Sequence, residues 1–182
     1  MTDAATKLAI EIDERELETY RKFVEAIAKM ADGKPIFNRS PAHAAVVVEF
    51  LLNGATKEFN VITGELYQQV YAAPAVIAAA VRFLTTKPDA EIHILSEKAV
   101  DKNTHPLLTA LAAAGVDARV KLKQLKEDVV AGTPFHFAVA DANAFRFESD
   151  KKLMEAVIQF GKKDIGQKLE TIFQRLWTTG TV

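Results

Sequence analysis

Apolar residues recur at helical spacing near both ends of the chain, and between those ends they gather into short runs separated by turn residues. From Asp13 to Asp32, the positions Leu17, Tyr20, Phe23, Val24, Ile27 and Met30 predict one long amphipathic helix, with Asp13 as N-cap, Glu16 three residues on and Gly33 as the stop. PIFNRSP reads as a connector, and Ser40 and Pro41 supply the cap and first turn of a helix to about Asn53. EFNVIT then predicts a strand, Pro74 opens the helix AVIAAAVRFLTT, and EIHIL, HPLLTALAAA and ARVKLKQL continue the alternation. The order α-β-α-β-α-β predicts an α/β fold, a three-layer α/β/α domain with a mixed, largely parallel sheet. The last third changes rhythm. HFAVA and AFRFE flank Asp141-Ala142-Asn143 and predict a hairpin, since Asp and Asn tolerate left-handed backbone. EAVIQF reads as one more strand. The closing helix has Asp164 as its cap, Gln167 at the capping-box position and an apolar stripe of Ile165, Leu169, Ile172, Phe173, Leu176 and Trp177.

Composition narrows the class. A length of 182 residues with 49% hydrophobic residues suits one sizeable core, so residues 1–39 read as a helix and connector attached to a domain at 40–182. A net charge of -1 gives no overall attraction to nucleic acid or an anionic membrane. That balance conceals an asymmetry, because residues 1–33 carry five bases against eight acids. The absence of cysteine excludes disulfides and thiolate chemistry, and it fits a cytoplasmic location. Acids near the N-terminus do not suit a secretory signal, and no apolar run approaches the roughly 20 residues that span a bilayer.

Glycine-rich nucleotide loops, zincin motifs and hydrolase elbows do not occur, so no cofactor is expected. The histidines at 43, 93, 105 and 136 form no pair at metal-binding spacing, and no metal is expected. His43 and His93 read as structural residues, and His105 as a capping or exposed one. Ligands of open α/β sheets gather beyond the strand ends, which draws attention to Thr63 and Glu65, and to Ser96 and Glu97. The two glutamates suit acid-base work or are solvated loop acids. Arg119, Lys121 and Lys123, extended by Lys126, form a basic row that either tracks phosphates or protects an edge strand. The stretch from Pro134 to Glu148 is the most distinctive. His136 shares a strand face with Ala138 and Ala140, opposite Phe135, Phe137 and Val139, and Arg146 points away from Phe145 and Phe147. His136, Asp141, Arg146 and Glu148 are therefore the catalytic candidates, or members of a buried polar network.

At this hairpin the chain resembles one half of the phospholipase D superfamily in its small stand-alone bacterial form. The resemblance spans roughly residues 40–178, up to the final helix DIGQKLETIFQRLW. Active members carry H-x-K-x4-D, with a histidine nucleophile, a lysine phosphate clamp and a downstream glycine-serine pair. With His136 as the motif histidine, Ala138 replaces the lysine and Asn143 the aspartate. With Asp141 as the motif aspartate, Pro134 and His136 stand in the first two places, and Glu148 and Ser149 replace the glycine-serine pair. The resemblance therefore implies a catalytically degenerate, homodimeric domain acting as a binding module for a phosphorylated ligand or a protein partner. The alternative it implies is a phosphodiesterase, nuclease or phospholipase, with His136 as nucleophile in a homodimeric site and Arg119, Lys121 or Arg146 as clamp. A third reading is a nucleotide or small-anion binder near Thr63 and Ser96, and nucleic acid is the weakest of the expected partners.

Overall fold

The computed structural model describes residues 14–151, 153 and 155–181. Its elements in chain order are α1 (Glu14–Met30), β1 (Ile36–Asn38), α2 (Pro41–Gly54), β2 (Glu58–Thr63), α3 (Gln68–Tyr71), α4 (Pro74–Thr86), β3 (Glu91–Ser96) and α5 (Pro106–Ala113). A turn at Asp117–Arg119 then leads to β4 (Val120–Gln124), α6 (Glu127–Ala131), β5 (His136–Ala140), β6 (Ala144–Glu148), β7 (Ala156–Gln159) and α7 (Lys163–Trp177). The seven strands form one sheet in the order β1-β7-β6-β5-β2-β3-β4. The parallel pairing expected of the alternating region holds for β2, β3 and β4, whereas β5, β6, β7 and β1 join antiparallel. The fold is a three-layer α/β/α domain with a mixed sheet.

Two apolar cores lie on opposite faces of that sheet. On one face α1, α2, α4 and α5 cover Phe59, Val61, Ile92, Ile94, Ala138 and Ala140. On the other, α7 and the short α6 cover Ile62, Leu95, Phe137, Val139 and Phe145. Covered on both faces, β2 is buried from Phe59 to Thr63, its polar Asn60 and Thr63 included, while β5 sets Phe137 and Val139 on one face and the small Ala138 and Ala140 on the other. Ser40 caps α2 by accepting from the His43 amide at 3.2 Å, and Pro41 occupies the first turn, as expected of a helix start.

Several local expectations are corrected. The supposed connector contains β1, which pairs antiparallel with β7 through Ile36↔Ile158, too short a strand to show periodicity. The residue flanking α7 is Lys162, so Asp164 lies in the first turn and pairs with Lys162 at 3.4 Å instead of capping. Arg119 belongs to the turn before β4, outside the strand that holds Lys121 and Lys123. His105 is buried, with Nε2 facing the Leu66 carbonyl at 2.8 Å, because it lies against the loop after β2 and not on the surface. Two of the four acids of α1 pair with lysines one turn on, Glu18 with Lys22 at 3.7 Å and Glu25 with Lys29 at 2.7 Å, and beyond the helix Asp32 pairs with Lys34 at 2.8 Å. Asp13, the expected cap of α1, lies outside the described residues.

The hairpin tip is held from two sides. Asp141 and Ala142 both adopt left-handed backbone, with φ of 51° each, so Ala142 takes the conformation expected of Asn143. The Asp141 carboxylate accepts from the amides of Thr56, Lys57 and Glu58 at 2.5, 2.8 and 2.9 Å and from the Thr56 hydroxyl at 2.9 Å. Burial pushes the Asp141 pKa up, but the hydrogen bonds from Glu58, Lys57 and Thr56 outweigh it and hold the carboxyl below its ordinary value. On the other side Gly166 of α7 packs directly on the turn, where a Cβ would overlap the Ala142 carbonyl.

Two outcomes follow. Asp141→Ala is expected to cost about 1–3 kcal/mol in urea unfolding at neutral pH. Because the folded pKa is depressed, that contribution is present above the ordinary aspartate value near ~3.9 and is lost as pH falls through the lower folded value. A deficit that persists undiminished in acid would contradict this origin. Gly166→Ala gains roughly 1 kcal/mol of helix propensity yet is expected to destabilise by about 1–3 kcal/mol, since backbone must move. An unchanged or raised urea midpoint would show that the turn yields freely.

Candidate functional site

The reversal of strand direction at β5 builds the site. β2 and β3 run parallel, so Thr63 and Ser96 end them side by side, and β5 enters antiparallel beside β2 with Ile62 opposite Phe137. This places His136, the first residue of β5, next to the ends of β2 and β3. The hairpin register sets His136 opposite Glu148 and Ala138 opposite Arg146, so all three polar side chains share the face below α2 and α3. A cleft of about 430 Å³ opens there, lined by Thr63, Gly64, Glu65, Tyr67, Val70, Tyr71, Glu97, Lys98, His136, Arg146, Glu148 and Lys151 among others. Gly64 matters because a Cβ in its place would sit 3.4 Å from His136 Cε1, so its absence leaves room at the edge of the ring.

The polar groups of the cleft floor are joined in one chain. Arg146 Nε donates to Asn38 Oδ1 at 3.0 Å, and Nη2 lies 2.6 Å from Glu148 Oε1. The other Glu148 oxygen lies 3.5 Å from His136 Nδ1, and His136 Nε2 lies 3.2 Å from Glu97 Oε1. Lys151 Nζ completes the chain, 2.6 Å from the same Glu97 oxygen, and also donates to the Thr133 and Val130 carbonyls at 3.1 and 3.4 Å. An imidazole that faces carboxylate oxygens from both nitrogens can donate to both only when both are protonated. Burial raises the Glu148 pKa, but the His136 hydrogen bond and the Arg146 charge together bring it below the ordinary glutamate value. Tyr71 beside them is pushed upward by burial, the Arg146 charge opposing.

This arrangement gathers His136, Arg146 and Glu148 with Glu65 and Thr63 around one cleft, and it separates the remaining candidates from it. Asp141 lies at the far end of the hairpin, where its carboxylate fastens β2. Ser96 is buried with its hydroxyl facing the Lys123 carbonyl at 3.4 Å. Arg119 spends its guanidinium on carbonyls around the end of α4, those of Leu84, Lys87, Pro88 and Ala90. Lys121 donates to the Ala118 carbonyl at 2.6 Å, and Lys123 donates to the Trp177 carbonyl at 3.0 Å with its ammonium 4.7 Å from the indole centroid. β4 is an edge strand, and its lysines are largely occupied in holding their own surroundings.

The other histidines have structural surroundings. His43 stacks on Tyr20 with ring centroids 3.9 Å apart, and burial lowers its pKa, with Glu16 opposing. His93 lies between Asn60 Oδ1 at 2.8 Å and Glu91 Oε2 at 3.1 Å beneath α7, with the Trp177 ring 5.3 Å away. Two members of the cleft network escaped sequence reasoning. Lys151 follows the hairpin in a polar stretch without periodicity, and it is drawn in because its amide donates to the Pro134 carbonyl at 3.2 Å. Asn38 belonged to the supposed connector, where nothing in its neighbours signalled burial. Among the described residues, no grouping of three His, Asp or Glu side chains could hold a metal ion, and no helix is long and apolar enough to cross a membrane.

Solved structures with this fold include phospholipase D relatives. Nuc of Salmonella typhimurium, described as a phospholipase D family member, aligns with a TM-score of 0.52 at 14% identity over 81% of this chain and 97% of its own. NucT of Helicobacter pylori aligns with a TM-score of 0.53 at 11% identity over 82% and 99%. The archaeal chromatin protein TrmBL2, whose structure is described as showing a novel mode of DNA binding, aligns with a TM-score of 0.57 at 14% identity, over 92% of this chain and 64% of its own. The chain therefore has a phospholipase D-like fold, and at these identities the likeness concerns the fold alone. No curated protein matches it in sequence. A family model described as a domain of unknown function, DUF7931, matches residues 39–182, so the chain belongs to that family.

Proposed function

We propose that this chain is a catalytically degenerate phospholipase D-like domain, working as a homodimeric, non-enzymatic binding module whose partner is another protein. The observation that carries the reading is the pairing of every charged group on the cleft floor with another protein group. Phosphoryl transfer by this fold needs an imidazole nitrogen free to attack and cations free to hold the phosphate oxygens. Here carboxylates occupy both nitrogens of His136, Glu148 neutralises Arg146, and Glu97 neutralises Lys151. A phosphate monoester or diester would have to displace a buried carboxylate that already satisfies two partners. That exchange uncovers a charge in a poorly solvated site, which costs several kcal/mol on the order of ~3–5. The same pairing weighs against a phosphorylated ligand and favours a protein partner.

The competing reading is a phosphodiesterase, and one observation favours it: His136 lines a cleft at the strand ends, where ligands of such sheets gather. Nucleic-acid binding, described for TrmBL2, has less support in this chain, because Arg119, Lys121 and Lys123 are engaged with its own carbonyls.

Hydrolysis of bis-p-nitrophenyl phosphate separates the two readings. The purified chain is expected to show no turnover above background, with or without a chelator, and His136→Ala is expected to behave the same way. Turnover that disappears in His136→Ala would establish the enzyme instead. Independently, Glu148→Gln leaves Arg146 without its counter-charge and is expected to cost about 3–5 kcal/mol of stability at neutral pH. Because the Glu148 pKa is depressed, the ionic part is present above the ordinary glutamate value near ~4.3 and vanishes as pH falls through the folded value. A wild-type stability unchanged in Glu148→Gln would mean that the network is ornamental and the cations are free.

A further inference from the structure

The charged groups of the cleft are paired with one another, but two hydroxyls beside them are not. Thr63 ends β2 on the strand face that also carries Phe59 and Val61, and Tyr71 ends α3 with its ring in the main core. Both side chains line the cleft, at 6% and 8% exposure. Among the described residues neither hydroxyl has a hydrogen-bond partner, and neither is sealed from solvent. Polar groups set this deeply are ordinarily bonded. The charges of Arg146 and Glu148 act on the Tyr71 hydroxyl, which places it at the cleft floor, and burial keeps it protonated at neutral pH. Glu97 adds an acceptor: its Oε1 serves His136 and Lys151, while Oε2 has no partner among the described residues. The loop before α3 turns these groups inward. Leu66 is fully buried with left-handed backbone at φ 55°, uncommon for a bulky residue, and its carbonyl accepts from His105 Nε2 at 2.8 Å. From that turn Tyr67, Val70 and Tyr71, spaced by three and four residues, all face the cleft, and Tyr67 remains 36% exposed there.

We infer that this cleft binds a small uncharged polyhydroxy compound, a simple sugar or cyclic polyol, with Thr63 and Tyr71 as its hydrogen-bonding residues and Tyr67 as the wall against its carbon face. The inference goes beyond the protein partner of the functional reading and rests on the pairing of charges from which that reading starts. Charge decides against ions. Glu65, Glu97 and Glu148 line the cleft with Lys98, Arg146 and Lys151, and each cation already lies beside one of these carboxylates, so an ionic ligand meets no spare counter-charge. A hydroxyl needs none. It both donates and accepts, so the hydroxyls of one ligand suit a floor that offers the Tyr71 and Thr63 hydroxyls together with the carboxylate oxygen of Glu97. A purely apolar ligand would instead leave those groups unpaired beneath it. Tyr67 and Val70 supply the apolar surface that takes the carbon face of a ring, while the polar groups fix its orientation. The cleft volume of about 430 Å³ lies within the ~300–1,000 Å³ usual for small-molecule sites.

Titration of the isotopically labelled full chain with D-glucose, D-galactose and myo-inositol, followed through its amide shifts, tests this. At least one of the three is expected to saturate at millimolar concentration with shifts centred on Gly64, Tyr67 and Tyr71, and its monophosphate ester is expected to bind at least about tenfold more weakly. Tyr71→Phe and Thr63→Val each remove one hydroxyl and keep the shape of the side chain. Neither hydroxyl is bonded within the chain, so the urea midpoint is expected to stay at or above that of the wild type, while affinity for the same probe falls roughly three- to tenfold. A purely structural role would give the reverse, a lowered midpoint with affinity unchanged, and would overturn the inference. So would the absence of saturation by all three compounds up to about 0.1 M. Tighter binding of the ester would overturn both this inference and the pairing argument beneath the functional reading. Turnover of bis-p-nitrophenyl phosphate with sugar or polyol binding intact would overturn the non-enzymatic reading alone.

Discussion

The Asp141 carboxylate fastens the tip of the β5–β6 hairpin to the three consecutive amides that lead into β2, those of Thr56, Lys57 and Glu58. Much of the remaining structure depends on this attachment, because it fixes the register of β5 against β2 where the sheet changes from parallel to antiparallel. Side chains alternate along a strand, so a slip of one residue would turn Phe137 and Val139 toward α2 and bury the wrong face of the hairpin. The same register decides which polar groups meet. Only with Ile62 opposite Phe137 and Phe147 opposite Phe137 does His136 stand beside Thr63 on one side and Glu148 on the other. The attachment is thus structural in its chemistry and still determines the composition of the cleft.

The network that results is balanced pair by pair. Two carboxylates serve one imidazole and two cations, and the backbone carbonyls of Thr133 and Val130 take the remaining lysine protons. Such a chain, satisfied at nearly every step, stabilises a single arrangement of its members, because moving any one leaves two others unpaired in a poorly solvated place. A side effect is chemical quiescence: the groups that would engage a substrate are already engaged. The amide nitrogen of Asn38 at the end of this network is the exception, a buried donor with no partner among the described residues. The carbonyl oxygen of the same side chain orients Arg146 from β1, the edge of the sheet among the described residues.

The fold was legible where periodicity was long or punctuated. α2, α4 and α7 declared themselves through stripes, prolines and glycines, and the hairpin through alternation around Asp141. β1 was hidden because three residues carry no period, and its burial arises from β7, far along the sequence. Within the candidate site, the face shared by His136, Arg146 and Glu148 followed from strand alternation alone. What alternation cannot supply is the pairing between elements, so neither the contact of Glu97 with His136 nor the arrival of Lys151 could be anticipated. Conversely, the basic row looked functional in sequence because sequence does not show the carbonyls that Arg119, Lys121 and Lys123 reach. Ala142 shows the reverse case, a residue whose left-handed backbone is imposed by the turn against its own preference.

The pairing of β1 with β7 also bears on the order in which the molecule can assemble. Among the described residues β1 is the first strand in sequence order, and β7, which receives it, is the last. The Gly33 amide, just after α1, likewise donates to the carbonyl of Phe160, and Ala31 sits against Gly161. Entry of β1 into the sheet therefore waits for β7, whereas α1 packs on the next helix in the chain, α2, where Arg21 pairs with Glu49 and Tyr20 stacks on His43. Contacts as distant in sequence as those of β1 with β7 carry a large closure entropy and form late.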